Sequence, residues 1–160
     1  MINDIKQIQS LVERKATRQR KRLFDAKRQL ETAIETLENR KKEAEDYKQY
    51  LQNLEENIYK TLTNSASSIQ VIQAYFTQLE EAATETLGLI EKVDAAQQEK
   101  ENEKNNVDHE TVLLSQIEKR QTKMDEIKNH FMKQAAIELA AAEEKEIADV
   151  VEVLHQINKS

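Results

Sequence analysis

Apolar residues recur through the first 61 positions of the chain at alternating steps of three and four. This spacing lines one face of an α-helix and is the heptad pattern of a coiled coil. Fourteen of the eighteen positions in the series are apolar or tyrosine, and no step is skipped. We call such a face the seam. The pattern predicts one helix over about residues 2–62, whose seam consists of Ile2, Ile5, Gln9, Val12, Ala16, Gln19, Leu23, Ala26, Leu30, Ala33, Leu37, Arg40, Ala44, Tyr47, Leu51, Leu54, Ile58 and Thr61.

A turn-like segment follows, because residues 63–68 read Thr-Asn-Ser-Ala-Ser-Ser. Asparagine and serine favour helix caps, so Asn64 or Ser65 is a candidate cap for a second helix. A second apolar series begins after this segment and predicts a helix from about residue 66, with the seam Ile69, Ile72, Phe76, Leu79, Ala83, Thr86, Ile90 and Val93.

The two series mirror each other across the turn. Ile58 falls opposite Ile72 and Leu54 falls opposite Phe76, and the residue numbers in each pair have the same sum. Two helices that run back along each other must pair in this way. The predicted fold is therefore all-α, a long antiparallel two-helix coiled-coil hairpin with its turn near residues 63–68.

The second helix has a candidate weak point at residues 97–106, which contain no apolar side chain. This stretch has neither glycine nor proline, so we predict an unbroken helix over about residues 66–157, in one hairpin domain of residues 1–160. A three-helix bundle that turns at residues 97–106 is the alternative. With a turn at Ser65, the residues from Phe131 onward lack a partner within the hairpin, although an apolar stripe continues through Ile147, Val150 and Leu154.

The composition supports few turns and no catalytic site. The chain has one glycine, no proline and no cysteine, and 34% of its residues are charged. A phosphate-binding loop needs several glycines, and the three histidines share no metal-ligand spacing. We therefore expect no enzyme activity, no cofactor and no metal. The periodicity disfavours disorder, and the absence of a long apolar run predicts a cytoplasmic protein without direct membrane insertion.

Charge is unevenly distributed along the chain. Lys6 to Arg28 contains nine bases and two acids, whereas Glu138 to Glu152 contains six acids and one base. The basic run from Arg14 to Arg22 is a solvated helix face, a docking surface for an acidic protein or a nucleic-acid contact. No aromatic residue interleaves the run and the net charge is −6, so we disfavour nucleic acid.

The aromatic residues concentrate near the predicted turn. Tyr47 and Phe76 occupy predicted seam positions, whereas Tyr50 and Tyr75 each precede one. In an antiparallel pair these two flanking tyrosines fall on one edge together with Ala82. An exposed aromatic edge is typical of a protein-binding patch, and the alternative is that the rings only shield the seam.

The layout resembles the FliJ/YscO family of type III secretion central-stalk proteins along the whole chain. A long helix ends in the tyrosine pair of Asp46–Leu51 (DYKQYL), a Ser/Asn turn follows, and the next helix carries Gln73–Glu80 (QAYFTQLE). An acidic, alanine-containing helix completes the chain. The two tyrosines are three residues apart here and four apart in flagellar relatives, a departure that concerns Tyr50 more than Tyr75.

The resemblance implies a non-enzymatic antiparallel hairpin, similar to the central stalk of rotary ATPases and peripheral to the inner-membrane secretion apparatus. The two helix ends would enter a hexameric export ATPase, the tip would contact the cytoplasmic domain of the membrane export gate, and substrate chaperones would be further partners. The gate-contact candidates are Tyr47, Tyr50, Tyr75, Leu79 and Ala82. The ATPase-contact candidates are Arg14, Arg18, Arg20, Arg22, Ile147, Val150 and Leu154.

Two other functions fit the same residues. A structural spacer or tether would self-associate through the apolar stripe near the end of the second helix. A nucleic-acid-associated coiled coil would use the basic run from Arg14 to Arg22.

Overall fold

Two long helices account for nearly all of the computed structural model, which describes residues 2–64 and 68–159. Helix α1 spans Ile2–Asn64 and helix α2 spans Ile69–Lys159, and no strand occurs within the described ranges. The predicted all-α hairpin is confirmed, and the centre of the predicted turn, residues 65–67, lies outside the described residues. Helix α2 continues without a break through residues 97–106, so the three-helix alternative is wrong. In the part of the chain described, neither helix carries an apolar stretch long enough to cross a bilayer.

Ser68 caps the start of α2. Its Oγ accepts a hydrogen bond from the backbone N–H of Val71 at 3.3 Å, and its carbonyl accepts one from Ile72 N–H at 3.2 Å. A serine placed three residues before the donor is the usual N-cap arrangement. The predicted cap at Asn64 is wrong, because Asn64 is the last residue of α1, and the alternative at Ser65 lies outside the described residues.

Two polar residues on the seam form local interactions. The Thr86 hydroxyl donates to the Ala82 carbonyl at 2.8 Å, and Arg40 forms an ion pair with Glu43 at 3.2 Å, three residues along the same helix. Such bonds let polar side chains occupy a helix interface without leaving donors unsatisfied. They explain how α1 and α2 remain regular where the heptad series is not apolar.

The chain divides into two compact units. The tip unit consists of Arg22–Thr111, which includes the end of α1 and the start of α2. The terminal unit consists of Met1–Lys21 together with Val112–Ser160.

The α1 side of the tip unit packs as the heptad series predicts. Ala26, Ala33, Leu37 and Ile58 are buried, and the other predicted seam residues are half-buried. Alanine at a contact position lets two helix axes approach at the short end of the usual range of about 8–10 Å. The core of this unit is therefore a narrow line of side chains between two helices.

The α2 side of the tip unit uses a different face from the predicted one. Ile72, Leu79, Thr86 and Val93 lie on the seam as predicted. The other four predicted positions are exposed, including Phe76 at 60%. At three of them the seam position is taken by the preceding residue, which is Tyr75, Ala82 or Leu89. The observed seam consists of Ile72, Tyr75, Leu79, Ala82, Thr86, Leu89, Val93, Ala96, Lys100, Glu103, Val107 and Glu110.

Continuity along α2 explains this choice. Continued by the same steps, the observed series reaches Leu114, Ile117 and Met124, all of which are half-buried. The predicted series would instead reach charged residues, such as Glu118 and Asp125. The observed face itself contains Lys100 and Glu103, but its later positions are apolar where the predicted face would bury further charge, which costs free energy.

Alanine substitutions distinguish the two faces. We expect Tyr75→Ala to lower the free energy of unfolding by about 1–2 kcal/mol, because half-buried aromatic surface is lost, and Phe76→Ala to lower it by less than about 0.5 kcal/mol. Urea denaturation followed by circular dichroism measures both values. A larger loss for Phe76→Ala would show that the heptad series predicted from residues 69–93 is the packed one.

In the terminal unit, Ile5, Ala16 and Gln19 are buried on the predicted α1 seam. Gln9 Nε2 donates a hydrogen bond to Asp125 Oδ1, so these two turns of α1 and α2 lie beside each other. The half-buried residues of α2 end at Phe131, and every described residue from Met132 to Lys159 is exposed. We call residues 132–159 the C-terminal extension.

Candidate protein-interaction surfaces

Two tyrosines of α1 meet at a groove in the tip unit. The ring centroids of Tyr47 and Tyr50 are 5.5 Å apart with their planes tilted by 40°. Tyr47 is half-buried, whereas 56% of the Tyr50 side chain is exposed. The groove has a volume of about 530 Å³, and its lining consists of Tyr47, Tyr50, Leu54, Gln78, Glu81, Ala82 and Glu85.

The phenol of Tyr47 has a pKa raised above its ordinary value of 10.0. Burial is the main cause, and the negative charge of Glu85, the neighbouring Tyr50 and the charge of Glu81 add to it. Each of these disfavours the phenolate. Tyr47 therefore keeps its proton at neutral pH and presents a hydroxyl that both donates and accepts hydrogen bonds.

The predicted exposed edge of Tyr50, Tyr75 and Ala82 does not exist. Ala82 is only 3% exposed and Tyr75 is half-buried, because both occupy the observed α2 seam. Leu79 is also a half-buried seam residue. Of the five gate-contact candidates, the structure brings Tyr47, Tyr50 and Ala82 to one groove and leaves Tyr50 as the exposed member.

A second edge near the tip exposes larger apolar side chains. Ile69 is 74% exposed and Phe76 is 60% exposed, and their seven-residue spacing places them on one side of α2 together with Ile90. Ile90 lines a groove together with Lys48 of α1, so these two residues lie on the same side of the helix pair. Steps of seven residues along α1 lead from Lys48 to Leu62, which therefore lies on that side as well. The aromatic edge, as we define it, consists of Tyr59, Leu62, Ile69 and Phe76.

The sequence prediction missed this edge because it assigned Ile69 and Phe76 to the packed seam. The signal that would have found it is the continuation of the alternative heptad series beyond residue 96. Tyr59, near the end of α1, is 70% exposed.

The four arginines predicted to contact the ATPase do not form one patch. Arg14 and Arg18 lie one turn apart and line a shallow groove with Glu13 on the outer side of α1. Arg20 lines a different groove, beside Glu118 of α2. All four side chains are exposed, and Arg22 is part of the tip unit.

The C-terminal extension exposes the apolar residues of its predicted contact stripe. Ile147 is 65% exposed, Val150 is 58% exposed and Leu154 is 54% exposed. Their spacing of three and four places them on one helix face. A continuous exposed apolar face is typical of a protein-interaction site, and the acids between Glu138 and Glu152 give the flanks of this one a negative charge.

The described residues form no arrangement for metal chemistry. In residues 2–64 and 68–159, no three histidine, cysteine, aspartate or glutamate side chains come together as metal ligands. His130 packs edge-on against Phe131, with ring centroids 6.0 Å apart. The surfaces described above are suited to binding other proteins through apolar contact and charge.

Comparisons with known proteins identify a similar structure. The solved structure of a YscO homolog from Chlamydia trachomatis matches this chain with a TM-score of 0.82 and 24% sequence identity. The match covers 95% of this chain and 93% of the other. No protein-family model and no curated protein sequence matches. At this identity the comparison shows a shared fold.

Proposed function

We propose that this protein is a non-enzymatic central-stalk adaptor of a type III secretion export apparatus. The C-terminal extension binds the hexameric export ATPase, and the tip unit binds the cytoplasmic domain of the membrane export gate. The observation that carries the proposal is the exposed apolar stripe of Ile147, Val150 and Leu154 on the C-terminal extension. The likeness of the whole fold to a YscO homolog supports it.

The gate contact rests on the exposed residues of the tip unit. Tyr50 and the aromatic edge supply the large amphipathic side chains that protein interfaces favour. Tyr47, Tyr75, Leu79 and Ala82 support these residues from the seam. Substrate chaperones are further partners, and the site of assembly is the cytoplasmic side of the inner-membrane apparatus.

Charge separates this proposal from the self-associating tether. A tether needs the C-terminal extension of one chain to pair with that of another. The six acids and one base between Glu138 and Glu152 would then face a copy of themselves, and like charges at close range destabilise helix pairing. A ring with a complementary lining has no such repulsion, so the stalk is the better account of the same apolar stripe.

The shallow groove lined by Arg14 and Arg18 in the terminal unit offers a direct test of the ATPase contact. We expect the double reversal Arg14→Glu and Arg18→Glu to reduce stimulation of ATP hydrolysis by roughly tenfold at low salt, and less at high salt, because charge complementarity mainly sets the rate of association. The measurement is ATP hydrolysis by the purified hexameric export ATPase with each variant added.

The matched control is Lys119→Glu with Lys123→Glu, an exposed pair one turn apart in the same unit. It makes the same change in net charge, and we expect it to preserve stimulation. Equal loss in both double variants would assign the effect to net charge alone. Absence of stimulation by the unmodified chain, together with failure to co-purify with the ATPase, would remove the stalk function.

A further inference from the structure

The middle of the tip unit contains an acidic residue where a coiled coil normally has an apolar one. Glu103 is a half-buried seam residue of α2, and its Oε2 is buried without a hydrogen-bond partner. This part of the seam also contains three buried alanines, Ala26, Ala33 and Ala96. A cavity of about 700 Å³ lies beside Glu103.

Both helices contribute charged groups to the walls of this cavity. Helix α1 supplies Asp25 and Arg28, and helix α2 supplies Glu99 and Glu103. The guanidinium of Arg28 lies over the ring of Phe24, 5.9 Å from its centroid. Lys100, the seam residue of α2 that precedes Glu103, is half-buried about one turn away.

Glu99 and Glu103 form a pair of carboxyl groups on consecutive turns. Burial raises the pKa of Glu103 above its ordinary value of 4.5, and a hydrogen bond with Glu99 and the charge of Glu99 raise it further. Two ionised carboxylates are acceptors only, so a hydrogen bond between them requires one proton. The pair is thus arranged to hold a proton in the seam.

We propose that the Glu99–Glu103 pair is a proton-operated joint between residues 22–33 of α1 and residues 96–107 of α2. With one proton bound, the pair is neutralised enough to remain in the seam and the two segments stay closed. With both carboxylates ionised, two like charges lie on consecutive turns at the seam, and the segments open more often because opening hydrates them. This regulation goes beyond the proposed stalk function and does not depend on any partner.

The pH dependence follows from the direction of the shift. A carboxyl group whose pKa is raised in the closed state binds more protons there than in the open state. The closed state is therefore most stable at low pH, and its stability falls as pH rises from about the ordinary value of 4.5 to the raised one. Above the raised value the stability no longer changes through this pair.

Hydrogen exchange of the full chain measures the joint directly. We expect the protection factors of amides in residues 22–33 and 96–107 to fall by up to tenfold per pH unit within this window and then to level off. In Glu103→Gln we expect the same amides to remain protected at every pH, because the side chain stays neutral. Glu99→Gln should weaken the pH dependence without removing it, because Glu103 still ionises and its burial still raises its pKa.

Two control variants separate the pair from other acids. Asp25→Asn removes the other acid of the cavity, and Glu91→Gln removes an exposed acid of the same unit. We expect both to keep the pH profile of the unmodified chain. A profile in the unmodified chain that does not change with pH overturns the proposal, as does an unaltered profile in Glu103→Gln. If the Glu103→Gln variant proves too poorly packed to interpret, Glu103→Leu supplies a second neutral side chain, and a remaining pH dependence there has the same meaning.

Discussion

Replacement of Leu37 by alanine is expected to lower the free energy of unfolding by about 2–4 kcal/mol. Leu37 is 4% exposed and is one of the few large side chains buried in the tip unit. Its removal leaves a cavity between two helices that other residues cannot fill without bending one of them. Urea denaturation followed by circular dichroism measures the change.

Leu87→Ala is the matched control for this prediction. The same side chain is removed from the same unit, but Leu87 is 63% exposed, so we expect a loss of less than about 0.5 kcal/mol. Similar losses for the two variants would contradict the seam assigned to α1. This comparison tests the fold independently of any binding partner.

Removal of residues 140–160 is expected to abolish stimulation of the export ATPase. Each exposed Ile, Val or Leu that becomes fully buried in a complex contributes about 1.5–3 kcal/mol, so loss of several of them weakens binding by well over a hundredfold. The described residues of this segment are all exposed, so the urea transition of the remaining chain should stay unchanged. ATP hydrolysis is measured at several concentrations of the truncated and the full chain.

Point variants then locate the contact on one helix face. We expect the triple variant Ile147→Ser, Val150→Ser and Leu154→Ser to reproduce the truncation. Val151→Ser with Val153→Ser alters exposed apolar residues outside that stripe and should retain most of the stimulation. If the triple variant stimulates as well as the parent chain, the apolar stripe is not the ATPase contact.

The face of α1 could be predicted from the sequence because only one heptad series fits it. The series runs from Ile2 to Thr61 without a competitor, and buried residues such as Ile5 and Ile58 lie on it. Helix α2 offers two series that share Ile72 and Leu79. Near the turn the wrong one is the more apolar, since it contains Phe76 where the right one contains Tyr75. Local hydrophobicity therefore cannot decide between them.

The candidate surfaces were predictable to different extents. Exposure of the apolar stripe near Ile147 follows from the length of α2 relative to α1, which the position of the turn determines. The separation of Arg20 from Arg14 and Arg18 follows from spacing within α1, because residues four apart share a helix face and residues two apart do not. Glu103 lies in a stretch without apolar residues, so the local sequence does not indicate which of its side chains face α1. Only the packing of the two helices places Glu103 on the seam.

The narrow seam also has a consequence for the divergence of this protein. No large side chain in the described part of the chain is completely buried, and packing constrains roughly two positions in every seven. The other positions can exchange one polar residue for another at little cost to folding. Substitutions at these positions can therefore accumulate while the backbone fold stays the same. Two chains that are only 24% identical can thus have the same fold.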